Sequence, residues 1–159
     1  MRGKRAPIRK LPKDQKYNSE IVTKLINYVM KDGKKKLATK IVYSAMERAA
    51  QELKTDKPLE VLLTAIANLT PKMEVRPRRI GGANYQVPVP VDERRGLILA
   101  LRWLVRVVRE RRRQVGKPFA EVLAQEIVDA YNNTGEAIKH KITVEKMAEA
   151  NKAFAQFRL

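Results

Sequence analysis

Cysteine is absent and histidine occurs once. That removes disulfide frameworks, thiol nucleophiles and nearly every zinc site. A Ser–His catalytic pair would have to use His140, which sits between Lys139 and Lys141 and reads better as a surface histidine near phosphate. Acidic residues are scarce: 17 Asp and Glu face 34 Lys and Arg, giving a net charge of +17. A folded domain with such an excess repels itself unless a polyanion neutralises it. Nucleic acid is the commonest polyanion, and an anionic membrane surface is the second. No apolar run approaches the roughly 20 residues that cross a bilayer. The basic start of the chain is followed by no apolar stretch, so it is not a secretory signal. A cytoplasmic protein with no metal or cofactor is expected.

What is present is enough for one domain. The chain has 159 residues, 44% of them hydrophobic, which allows a sizeable core. Residues 1–17 hold six Lys or Arg up to Lys13 and two prolines with little apolar content, and read as a basic N-terminal extension. Residues 18–159 form the domain. From Ser19, apolar residues Ile21, Val22, Leu25, Ile26, Val29 and Met30 recur at helical spacing, and Lys31-Asp32-Gly33 stops that helix. A second helix buries Leu37, Ala38, Ile41, Val42, Ala45, Met46, Ala49 and Leu53. Pro58 suits the first position of a third helix, which carries Leu59, Leu62, Leu63, Ile66 and Leu69 and ends before Pro71.

Residues 72–91 abandon the helical period. Met73 and Val75 alternate with Glu74, Arg76 and Arg78, Gly81-Gly82-Ala83-Asn84 supplies a turn, and Tyr85, Val87, Val89 and Val91 alternate again. This predicts a β-hairpin. Pro77, Pro88 and Pro90 cannot donate to a ladder, so the pair should protrude from the helical body as an arm. Asp92 suits the N-cap of a long fourth helix to about Arg113. Pro118 opens a fifth, with Phe119, Val122, Leu123, Ile127, Ala130 and Tyr131. After Asn132-Asn133-Thr134-Gly135 a last helix runs through Met147, Ala150 and Phe154, starting near either Glu136 or Thr143. The fold class is mostly α, a single domain with one inserted hairpin.

The fourth helix carries the most information. At about 100° per residue, Arg95, Arg102, Arg106, Arg109 and Arg113 fall within roughly 60° of one another, along about 27 Å of helix. Leu97, Leu101, Leu104 and Val108 point the opposite way, and Glu110 alone lies beside the row to offset it. Like charges at this spacing destabilise an isolated helix, whereas a row of phosphates reverses the sign. Trp103 flanks the row and is read either as a base-stacking residue or as the margin of the core. Arg76, Arg78 and Arg79 precede the hairpin turn; arginine grips phosphate bidentately and stacks on bases, which suits irregular RNA. The other reading of this cluster is a solvated, aggregation-blocking edge. Lys34, Lys35 and Lys36 open the second helix, where the dipole disfavours cations but attracts anions. Gly33-Lys34 is not a P-loop, since Tyr28 stands where a glycine is needed and Lys35 where Ser or Thr should hold the metal. No catalytic constellation emerges, so enzymatic activity is not expected.

The chain also resembles a known family. Gly33-Lys34-Lys35 with Ile41-Val42 and Ala45, the run from Met73 to Pro88 (MEVRPRRIGGANYQVP), Ala100-Leu101-Arg102-Trp103-Leu104-Val105, and Lys146 to Phe154 (KMAEANKAF) are together similar to small-subunit ribosomal protein seven of the bacterial type. The resemblance spans nearly the whole chain in order. It implies about six helices with a β-arm between the third and fourth. It also implies primary binding to the 3′ major domain of small-subunit rRNA, nucleating assembly of the head. Neighbouring head and platform proteins, tRNA in the exit site and nearby messenger RNA are the implied partners, and some bacterial members repress their own messenger. The family's RNA surface, carried onto this sequence, takes in Lys4, Arg5, Arg9 and Lys10, then Arg76, Arg78 and Arg79, then Arg94, Arg95, Arg102 and Arg109.

The full candidate RNA-binding set adds Arg2, Lys34, Lys35, Lys36, Tyr85, Trp103, Arg106, Arg111, Arg112, Arg113, Lys117, Lys139 and Lys141. The alternative is a basic duplex-DNA-binding regulator or architectural protein. That would call for a recognition helix with base-reading side chains and usually a dimer, but the fourth helix offers hardly any Asn or Gln and no heptad seam. A membrane-surface protein is the third reading, and it would have to unfold to insert the face of the fourth helix that the core needs.

Overall fold

A computed structural model describes Gly3 and residues 11–157. The described chain folds as α1 (Glu20–Val29), α2 (Lys35–Glu52), α3 (Pro58–Leu69), β1 (Met73–Ile80), β2 (Ala83–Pro90), α4 (Glu93–Val115), α5 (Phe119–Tyr131) and α6 (Glu136–Ala150), closed by a 3-10 helix at Lys152–Phe157. These are the six helices and the arm that the sequence implied. The last helix begins at Glu136, the earlier of the two starts.

Local chemistry sets most of the boundaries. The Ser19 hydroxyl accepts from the Ile21 amide at 3.3 Å, capping α1. Asp92 does the same for α4, accepting from the Arg95 amide at 2.6 Å. Pro58 occupies the first turn of α3, where its missing N–H costs nothing. The hairpin reverses through Gly81 and Gly82, whose φ angles of +57° and +89° match the tight turn that twists with its strands. The core gathers Leu25, Met46, Leu62, Leu69, Leu101, Leu104, Leu123 and Ile127, all essentially without solvent contact. Helix α5 lies against α2, α3 and α4, so the apolar stripes of the helices close around it.

Packing is tightest where α4 leaves the hairpin. A Cβ on Gly96 would stand 2.6 Å from Thr70 Cγ2, at the end of α3. We therefore expect Gly96→Ala to destabilise the fold by about 1–3 kcal/mol, because the helix cannot retreat without opening the core. Chemical denaturation checks this, and a variant as stable as the parent would show that the α3–α4 junction can yield.

Several expectations are corrected. Leu37, assigned to the buried face of α2, is 54% exposed. Met147 and Tyr131 are likewise largely on the surface. Residues 11–17, included in the basic extension, are folded onto the body. Asp14 is buried, accepts from the amides of Lys16 and Tyr17, and takes the Tyr43 hydroxyl at 2.5 Å, while Thr23 donates to the Pro12 carbonyl. Lys16 pairs with Glu47 beside them.

Candidate nucleic-acid interface

Helix α4 keeps its arginines together. Arg102, Arg106, Arg109 and Arg113 line one shallow depression with Tyr28 and Glu110. Arg102, Arg106 and Arg113 are exposed, and Leu101, Leu104 and Val108 on the opposite side are fully buried. The division of faces follows from the helical period, because the core accepts one side of a 3.6-residue repeat and solvent the other. Arg106 pairs with Glu110 at 2.9 Å, a surface contact of little net strength. Arg109 is half-buried and donates to the Tyr28 carbonyl at 2.8 Å. It also lines a neighbouring groove with Arg112, Arg113, Lys31 and Lys34, so the cationic strip continues from α4 onto the α1–α2 loop.

The upper end of the row is tied to the hairpin. Glu74 is only 6% exposed and holds two guanidinium groups. It accepts from Arg76 Nε at 2.7 Å and, through its other oxygen, from Arg95 Nε at 3.2 Å and Nη2 at 3.1 Å. It also fixes the angle between the arm and α4. The arm rests on α6 and the 3-10 helix, and in the half nearer its turn the Tyr85 ring meets Phe154 at a centroid distance of 5.1 Å.

Toward its tip, Arg78 and Arg79 are exposed. In the β1–β2 register Arg76 lies opposite Val87 and Arg78 opposite Tyr85, on one face, whereas Arg79 lies opposite Asn84 on the other. The finger therefore presents cations on both sides. Lys34, Lys35, Lys36, Arg94, Arg112 and Lys117 are also exposed. The α2 N-terminus carries no side-chain cap, and its first amide, that of Lys35, donates to the Gly33 carbonyl at 2.7 Å.

Other candidates are drawn into the body. Trp103 is 7% exposed and its ring lies on His140, centroids 4.8 Å apart, so it fills the core margin and offers no open face to a base. His140, expected at the surface, is half-buried by that contact. Arg111 points away from the row and donates to Glu126 and Asp129, each at 3.1 Å. The bond to Asp129, ahead of that to Glu126, raises the Arg111 pKa above its ordinary value although burial works against it. Lys141 donates to the Asn68 carbonyl at 2.8 Å, tying α6 to α3, whereas Lys139 stays exposed and pairs with Glu136 at 2.6 Å. Arg2, Lys4, Arg5, Arg9 and Lys10 lie outside the described residues.

The carboxylates behind these contacts escaped the sequence reading. Glu126 stands one turn from Val122 and Leu123 and beside Ile127, on the apolar face of α5. An acidic residue on a stripe meant for the core is the signal that a buried cation partner exists. Among the described residues no three His, Cys, Asp or Glu gather as a metal site, and no helix is long and apolar enough to cross a membrane.

A helical body with a mostly exposed cationic strip along one helix and a cationic finger beside it defines a polyanion-binding class of protein. The model of the family described as ribosomal protein S7p/S5e matches residues 1–152. The small ribosomal subunit protein uS7 of Thermosipho africanus is 56% identical over 158 residues, covering 99% of each chain. That of Dictyoglomus thermophilum is 58% identical over 157 residues, covering 98% of each, and that of Thermotoga maritima is 52% identical over 158 residues, covering 99% of each. The chain belongs to the ribosomal protein S7p/S5e family, whose members are structural proteins of the ribosome and not enzymes.

Proposed function

We propose that this chain is a primary binder of the 3′ major domain of small-subunit rRNA and nucleates assembly of the subunit head. The observation that carries the reading is the cationic strip from Arg102 along α4 to Lys34, in which exposed Glu110 and Asp32 are the only carboxylates among the described lining residues. Exposed guanidinium groups neutralise phosphates and release counterions, while the hairpin arm reaches irregular RNA beyond the body. The likeness to the uS7 proteins of the small subunit, over almost every residue, supports small-subunit RNA as the polyanion. On the same reading the chain lies near exit-site tRNA and the messenger path, beside other head and platform proteins, and represses translation of its own messenger.

Titrating the full chain against a 3′ major domain RNA fragment at several salt concentrations tests this. With about eight phosphates engaged, log affinity should fall against log salt with a slope of roughly −6 to −7. Duplex DNA of equal length should compete poorly. An affinity indifferent to salt, or equal affinity for the duplex, would overturn the proposal.

A further inference from the structure

Beside the α4 row lies a groove of about 700 Å³, walled by the end of α1, the first two turns of α2, the last turn of α4 and the start of α5. That volume is within the range of small-molecule sites. Its lining is of two kinds. Met30, Leu37, Ile41 and Phe119 make an apolar floor, and Lys31, Lys34, Arg109, Arg112 and Arg113 stand around it, with Asp32 as the one carboxylate among the lining residues.

Leu37 is the anomaly. It sits at the margin of the buried face of α2, one turn before half-buried Ile41, and 54% of it meets water. Among the groove's cations, the Nε of Arg109 is shut away from solvent with no acceptor among the described residues, even though the same guanidinium reaches the Tyr28 carbonyl. A surface meant only for phosphates needs no apolar floor and leaves no donor waiting inside.

We infer that this groove captures a single unstacked nucleotide of the RNA. Its base would lie on Leu37 and Phe119, and its phosphate would meet Lys34 and the guanidinium groups of Arg112 and Arg113. The inference rests on the RNA-binding reading above and adds a mode of recognition to it. A paired, A-form strand keeps its bases inside the stack and shows proteins ribose and phosphate. Such a strand would satisfy the five cations but leave the floor wet. A splayed nucleotide satisfies both, since any base has a π-face to set against aliphatic, aromatic or guanidinium planes. An acidic segment of a neighbouring protein would match the charge as well, but its carboxylates gain nothing from the apolar floor, which the face of a base would cover.

Leu37→Lys in the full chain separates the alternatives, and the exposure of Leu37 means that the fold survives the change. A plain phosphate surface gains from the added cation and binds the RNA fragment more tightly. A base-holding groove loses its floor, and affinity falls roughly fivefold or more in spite of the extra charge. Equal or tighter binding overturns the inference. If the arginine-row variant described below still loses affinity, the RNA reading stands without the groove, and if neither variant loses affinity both fall together. Photoleucine at position 37, irradiated in assembled small subunits, should label one unpaired nucleotide. Labelling of a protein, of paired nucleotides, or of no RNA at all overturns base capture.

Discussion

Exchanging Arg102, Arg106 and Arg113 together for alanine should weaken binding to the 3′ major domain RNA roughly a hundredfold near physiological salt, while the protein stays folded. All three side chains are exposed along one depression of α4. Each phosphate contact removed takes about 0.7 to 0.9 from the log–log salt slope, so the slope should become shallower by roughly 2 to 3. Stability should hardly move, because exposed substitutions away from caps and cores stay within about 0.5 kcal/mol. The small terms nearly cancel. Losing Arg106 frees Glu110, and losing Arg113 removes a cation from the negative end of the helix. Against this, the row no longer repels itself. Filter binding over a salt series, with a thermal melt of the same protein, reads both quantities. A variant that loses affinity with an unchanged slope would show that the arginines act on something other than phosphate. A variant that keeps its affinity would remove α4 from the interface.

The α4 surface was legible in the sequence because helical periodicity converts spacing into direction with no further knowledge of the fold. Ser19, Pro58 and Asp92 likewise announced the starts of their helices, since capping depends on neighbours in the chain. The hairpin was legible through its glycine turn. Which of its residues face the body was not. The alternation of Met73 and Val75 suggested an apolar face opposite Glu74, yet the register sets Met73 opposite Pro90 and Glu74 opposite Val89, and Glu74 is the residue that is buried. Only the junction with Arg95, twenty-one residues later, makes that burial tolerable.

Arg111 shows the same gap between composition and contact. Its place in a run of three arginines argued for RNA, and nothing nearby in the chain revealed that Glu126, fifteen residues on, would turn inward to meet it. Leu37 shows the reverse case. Periodicity assigns it to the core, but it lines an open groove and is 54% exposed among the described residues, and a pattern of spacing cannot say where packing stops.

Arg111→Ala is expected to cost stability and leave the salt dependence of RNA binding unchanged. Glu126 is entirely buried. One oxygen accepts from the Ala137 amide at 2.9 Å, capping α6 in place of a side chain at Gly135, and the other accepts from Arg111 at 3.1 Å. Asp129 shares the same guanidinium. Removing Arg111 leaves one buried carboxylate and one half-buried carboxylate side by side without a cation. Breaking a fully buried pair in this way costs about 3–5 kcal/mol. The Arg111 side chain is 36% exposed, so water can reach the gap. The cost should therefore sit near about 3 kcal/mol, or a fall in melting temperature of roughly 6–12 °C for a chain of this size. The loss should concentrate at the start of α6, where Glu126 will draw in water and release the Ala137 amide, which hydrogen exchange at Ala137 and Ile138 would register. Arg111→Lys should recover only part of the stability, because one ammonium cannot reproduce the planar fork that reaches both carboxylates. If Arg111→Ala instead made the salt slope shallower by about one and spared the melting temperature, Arg111 would be a phosphate contact after all, and its ion pair with α5 would be incidental.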